Sequence, residues 1–117
     1  MLLIPLTPAQ SSFVEVELLG RFLEDEDDRV ARVMDVVLDH FQRSRGTSLA
    51  VPDAELMQGL VLSVINFIDD EIEEAKSGDD RALSRIGGVE TIAEARNLHR
   101  AGSAIWQKLL KADQRYR

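Results

Sequence analysis

The stretch from Asp53 to Gly78, and within it the mostly apolar run from Leu60 to Ile68 (LVLSVINFI), constrains what the rest of this chain can fold into. Pro52 fixes φ and Asp53 offers an oxygen to free amides, which together open a helix. From there Leu56, Leu60, Val61, Val64, Phe67, Ile68, Ile72 and Ala75 recur at steps of three and four, the spacing of one helix face. Leu62 and Ile65 fall off that stripe, so the pattern predicts a helix buried on most sides. A thin seam of Gly59, Ser63, Asn66 and Asp70 remains, which either faces water or admits a second helix at close range. The apolar run is far shorter than the ~20 residues that cross a bilayer, and acids come directly after it. No membrane contact is expected.

At 117 residues the chain supports one core, and it is read as a single helical domain over residues 1–117. A hydrophobic fraction of 44% excludes wholesale disorder. With no cysteine, disulfides and thiolate metal sites are excluded, and a reducing compartment is the default. The N-terminus lacks the charged and apolar blocks of a signal peptide, so a cytoplasmic location is expected. The net charge of −7 hides a division: residues 1–80 hold 18 acids against 6 Lys/Arg, whereas residues 81–117 hold 3 against 8. Such asymmetry bears on contacts. A domain this acidic is repelled from nucleic acid as a whole, so no nucleic-acid partner is expected.

In the first 24 residues the pattern supports two readings. Thr7-Pro8-Ala9-Gln10 has the form of a capping box with proline at the first helical position, favouring a helix through Phe13, Val16, Leu19, Phe22 and Leu23. Against it, Val14, Val16 and Leu18 alternate with Glu15 and Glu17, which is strand spacing. Five acids, Glu24, Asp25, Glu26, Asp27 and Asp28, then suit the start of a helix, where they complement the dipole. Val30, Val33, Met34, Val37, Leu38 and Phe41 define that helix, with Arg43-Ser44-Arg45-Gly46 as its stop and Thr47 to Val51 as a linker. Beyond the central helix, Leu83 and Ile86 mark a short turn and Gly87-Gly88 a bend. The last helix, from about Val89 to Arg115, carries a narrow stripe of Ala95, Leu98, Gly102, Ile105, Leu109, Ala112 and Tyr116, suited to bundle or coiled-coil packing. Arg96, Arg100, Lys108, Lys111, Arg115 and Arg117 give it a basic face.

Catalytic patterns are sparse. There is no cysteine and no GxSxG, and only His40 and His99 are available as bases. No paired histidines or HExxH supply a zinc site. One pattern remains. Asp70-Glu71-Ile72-Glu73-Glu74, with Glu94-Ala95-Arg96-Asn97 about twenty residues later, resembles the EExxE…ExxD arrangement of the all-α nucleotide pyrophosphohydrolases (the MazG-like family). The resemblance covers about 28 residues and implies magnesium held by Asp70, Glu71, Glu74 and Glu94 at a nucleoside triphosphate. The departures are Asp70 for the first glutamate and Asn97 for the final aspartate, which removes a charge from the metal.

The sequence therefore predicts an all-α fold: a compact bundle of about four helices, with the first twenty or so residues open between helix and extended chain. The function expected is that of a non-enzymatic protein-interaction module without a cofactor, such as an assembly adaptor, a chaperone or an acidic inhibitor of a basic partner. Glu24 to Asp28, together with Asp69, Asp70 and Glu73, are the expected partner contacts. Self-association is expected through Gly59 and Ser63, or through Gly102, Ile105 and Leu109. The alternative is a degenerate magnesium site.

Overall fold

In the computed structural model, residues 1–116 are described, with side chains described through Asp113. The side chains expected at Arg115, Tyr116 and Arg117 lie outside the described residues. Strand β1 (Leu2–Pro5) leads into a continuous helical body. That body is α1 (Pro8–Phe13), a π-helical turn (Val14–Leu19) and α2 (Gly20–Phe22). The capping box forms: the Gln10 N–H donates to Thr7 Oγ1 at 3.3 Å, and the Thr7 N–H donates to Gln10 Oε1 at 3.1 Å. Extension is confined to the strand, and the helix reading holds from Pro8 onward.

Of the helical stripe read through this stretch, Phe13 and Leu19 are buried and Phe22 and Leu23 pack against the core, but Val16 is displaced by the π turn. Its i to i+5 pairing widens the coil and rotates the residues beyond it about the helix axis. Val14, Glu17 and Leu18 are carried inside, while Val16 is left 42% exposed. A helical stripe puts Val16 in the core and a strand puts Glu17 in water; the structure does the reverse.

The expected linker is the second correction. Ser48–Val51 is strand β2, antiparallel to β1 with Leu2 opposite Val51 and Pro5 opposite Ser48. Leu49 and Ala50 are fully buried. The chain is thus mostly helical with a small two-stranded sheet, rather than all-α. Between the strands runs α3 (Asp28–Arg43), capped by Asp27 and burying Val30, Met34, Val37 and Phe41 as its spacing predicts. It stops with Arg45 and Gly46 at φ 55° and 76°. His40 Nε2 lies 3.0 Å from Ser48 Oγ and ties α3 to β2.

The central helix is α4 (Ala54–Lys76), opened by Asp53, whose carboxylate accepts from the Leu56 N–H at 3.0 Å. Met57, Val61, Val64, Ile65, Ile68 and Ile72 are buried. Ile65, expected off the stripe, packs toward the last helix. Gly59, Leu62, Ser63 and Asn66 are exposed, so α4 is covered along one broad side and not on most sides. A 3₁₀ turn at Leu83–Arg85 comes next, with Ala82 and Ile86 buried around it. The last helix, α5 (Ile92–Tyr116), lies against α4 and α1 and buries Ala95, Ala101, Ile105 and Leu109. No helix among the described residues is long and apolar enough to cross a membrane.

Candidate functional site

The second half of α4 brings its carboxylates to the 3₁₀ turn. Glu71 and Glu74 stand one helical turn apart on the same face. Arg85 Nη1 is 2.9 Å from Glu71 Oε2 and 2.9 Å from Glu74 Oε2, and Asp79 Oδ2 lies 3.4 Å from the same guanidinium. Glu71 is buried, while Arg85 is 44% exposed in its side chain. The Glu71 hydrogen bond, ahead of the charge of the same carboxylate, holds the Arg85 guanidinium above its ordinary pKa. A buried carboxylate is costly without a cation, and this chain supplies its own.

The cluster is joined to the N-terminal helix. Arg21 Nη2 donates to the Arg85 carbonyl at 3.5 Å, its Nε donates to Glu17 Oε2 at 2.6 Å, and its guanidinium lies 4.2 Å from the centre of the Phe67 ring. An apolar stack on one side and a carboxylate on the other fix Arg21 between α4 and the π turn. Glu17 is 1% exposed, and its second oxygen, Oε1, has no partner among the described residues.

This geometry does not fit the magnesium set. The position between Glu71 and Glu74 holds a guanidinium. Glu94 is turned to the start of α5, where its carboxylate accepts from the Thr91 hydroxyl at 3.3 Å and the Glu90 N–H at 3.4 Å. Asp70 is exposed. No three His, Asp or Glu among the described residues are grouped so as to hold a metal ion.

The expected partner contacts fall into two separate groups. Glu24, Glu26, Asp27 and Asp28 are exposed and Asp25 half-buried. Asp27 caps α3 through the Arg29 N–H at 2.9 Å, and Asp25 accepts from the Asp27 N–H at 2.9 Å. The carboxylates of Glu24, Glu26 and Asp28 make no ion pair among the described residues, and Arg32 Nε donates to the Asp28 backbone carbonyl at 3.2 Å. Arg29 pairs with Asp53, which sets this acidic end beside the start of α4. Asp69, Asp70 and Glu73 lie near the other end of that helix, roughly 24 Å along it at ~1.5 Å per residue. There Glu73 pairs with Lys76 at 3.2 Å, Asp69 Oδ1 lies 3.4 Å from His99 Nε2, and Asp70 is without a partner among the described residues.

The expected self-association residues divide as well. Gly59 and Ser63 are exposed, with nothing within 4 Å of a Cβ built at Gly59. Gly102, Ile105 and Leu109 are inside the chain's own core. A Cβ at Gly102 falls 2.5 Å from the Phe13 ring and 3.2 Å from Ile65, and Ile105 and Leu109 are fully buried. Their close packing is within the chain's own core.

The sequence reading missed Arg85, Arg21 and Glu17. For Arg85 a signal existed, a cation eleven to sixteen residues after the acids at Asp69–Glu74, but Lys76 and Arg81 share that stretch and nothing in the spacing singles Arg85 out. For Glu17 there was none, because the π turn that buries it leaves no mark on residue spacing.

Comparison with known proteins finds no match for this chain among family models, curated proteins or solved structures. The likeness to the all-α nucleotide pyrophosphohydrolases therefore stays at the level of the quoted motif.

Proposed function

We propose that this chain is a non-enzymatic interaction module that recognises a basic protein surface, as an adaptor or an acidic inhibitor does. The observation that carries this reading is how the acids are disposed. Glu71, Glu74 and Asp79 are paired internally with Arg85, while Glu24, Glu26, Asp28 and Asp70 are exposed and their carboxylates make no ion pair among the described residues. Like charges held close together repel, and an opposite charge on a second molecule relieves that repulsion. Fields of this kind speed and orient association more than they add affinity. The exposed Gly59/Ser63 face of α4 is the surface on which self-association is proposed, since the matching residues of α5 are internal.

The test compares the wild-type chain with a charge-reversed form (Glu24→Lys, Glu26→Lys, Asp28→Lys) as bait in an extract of the source cells. The reading expects a protein of basic pI on the wild type, released by salt and absent from the variant. Recovery of nucleotides or nucleic acid alone, or of the same proteins on both baits, contradicts it.

A further inference from the structure

A cleft of about 390 Å³ opens where the π turn, the Gly87–Gly88 loop and the start of α5 meet. Ala9, Val16, Gly87, Glu94, Asn97 and Leu98 are among the residues that line it. Its walls are mainly apolar, its polar side chains are Ser12, Glu94 and Asn97, and no Lys, Arg or His lines it. One of the lining residues lies against the orphaned oxygen of Glu17. A Cβ at Gly87 would lie 2.7 Å from Val16 Cγ1, too close to be accommodated without a shift, and 3.6 Å from Glu17 Oε1, so Gly87 is the lining residue that adjoins that atom.

A buried acceptor left without a donor costs free energy until one arrives. The π turn is what creates this one, since it carries Glu17 inward and Val16 out to the cleft rim. π turns inside helices are frequent at functional sites. The loop above the oxygen is two glycines, both exposed, with Gly88 at φ 72° and nothing within 4 Å of where its Cβ would be. Such a loop shifts at little steric cost.

We propose that this cleft receives an alkyl cation, the side chain of a lysine or arginine on the partner protein. The aliphatic stem lies against Val16 and Leu98, as such stems lie on apolar surface. The charged head donates to the Asn97 side-chain carbonyl and, once the Gly87–Gly88 loop shifts, to Glu17 Oε1. A neutral alkyl group finds the same walls and leaves the oxygen unpaired.

The inference rests on the reading of the chain as a binder of a basic protein, but a small probe separates the two. Butylguanidinium is titrated into the ¹⁵N-labelled full chain, with butyronitrile, which is neutral and has no donor, as the control. The proposal expects saturating shifts at Val16, Gly87, Gly88 and Leu98 with butylguanidinium and none with butyronitrile. It also expects binding weakened at least about tenfold, or about 1.4 kcal/mol, in Glu17→Gln. Ala9→Phe, which fills the cleft from an exposed helix position and leaves the buried network untouched, abolishes the shifts. Should Glu17→Gln fail to fold, Ala9→Phe and butyronitrile decide. Equal shifts with butyronitrile, unsaturated linear shifts, or unchanged binding in either folded variant overturn the proposal. A dry cleft leaves the acidic-surface reading standing, and loss of the basic partner leaves a filled cleft intact.

Discussion

Gly102 and Gly59 sit on facing helices and have opposite surroundings. At Gly102 any Cβ meets the Phe13 ring at 2.5 Å and 2.7 Å, and that ring is fully buried. Gly102→Ala is therefore expected to destabilise the fold by about 1–3 kcal/mol through overpacking. Gly59 is exposed in the interior of α4 with open space around it, so Gly59→Ala is expected to stabilise by about 0.5–1 kcal/mol. Chemical denaturation of the two variants checks both signs. Asp53 gives a pH-dependent test. The Leu56 N–H first, and the Arg29 guanidinium next, hold its carboxyl below the ordinary 3.8. A depressed folded-state pKa means that this stability is present above the ordinary value and lost as pH falls through the folded one. Asp53→Ala is expected to cost about 0.5–2 kcal/mol at neutral pH and to flatten the stability curve below about pH 4. A curve parallel to wild type at acid pH contradicts the assignment.

At the scale of elements, legibility in the sequence tracked length. α3 and α4 were legible because sixteen and twenty-three residues repeat a stripe several times, and each carries a capping aspartate. β1 and β2 were not: four residues give too little alternation, and the partner that justifies each strand lies more than forty positions away. The π turn was illegible for a different reason, since it changes which face is buried without changing which residues are apolar. The candidate site split along the same line. The acids were visible one by one, but their use by Arg85 depends on a turn that folds back from α4. Leu49→Ala, in a fully buried strand position, is expected to cost about 2–5 kcal/mol in chemical denaturation. Arg85→Met strands Glu71 in a buried site and is expected to lower the melting temperature. Adding Glu71→Leu is expected to restore much of the loss, because removing both members of such a pair is far cheaper than removing one. Melting temperatures that fall further in the double variant contradict the pairing.

For the whole molecule, the charge division of the sequence becomes two acidic ends along α4, which runs beside the more basic α5. Internal pairing takes up Glu71, Glu74 and Asp79 beside the 3₁₀ turn, whereas the carboxylates of Glu24, Glu26, Asp28 and Asp70 make no ion pair among the described residues. Under the proposed function, these exposed carboxylates guide a basic partner onto the chain. The direct measurement is the association rate with the captured partner, taken across ionic strength for the wild type and for the Glu24→Lys, Glu26→Lys, Asp28→Lys form. The account predicts a wild-type rate that falls steeply with salt and a variant rate that is slow from the start and nearly salt-independent. Equal rates for the two forms, with the same salt dependence, contradict it.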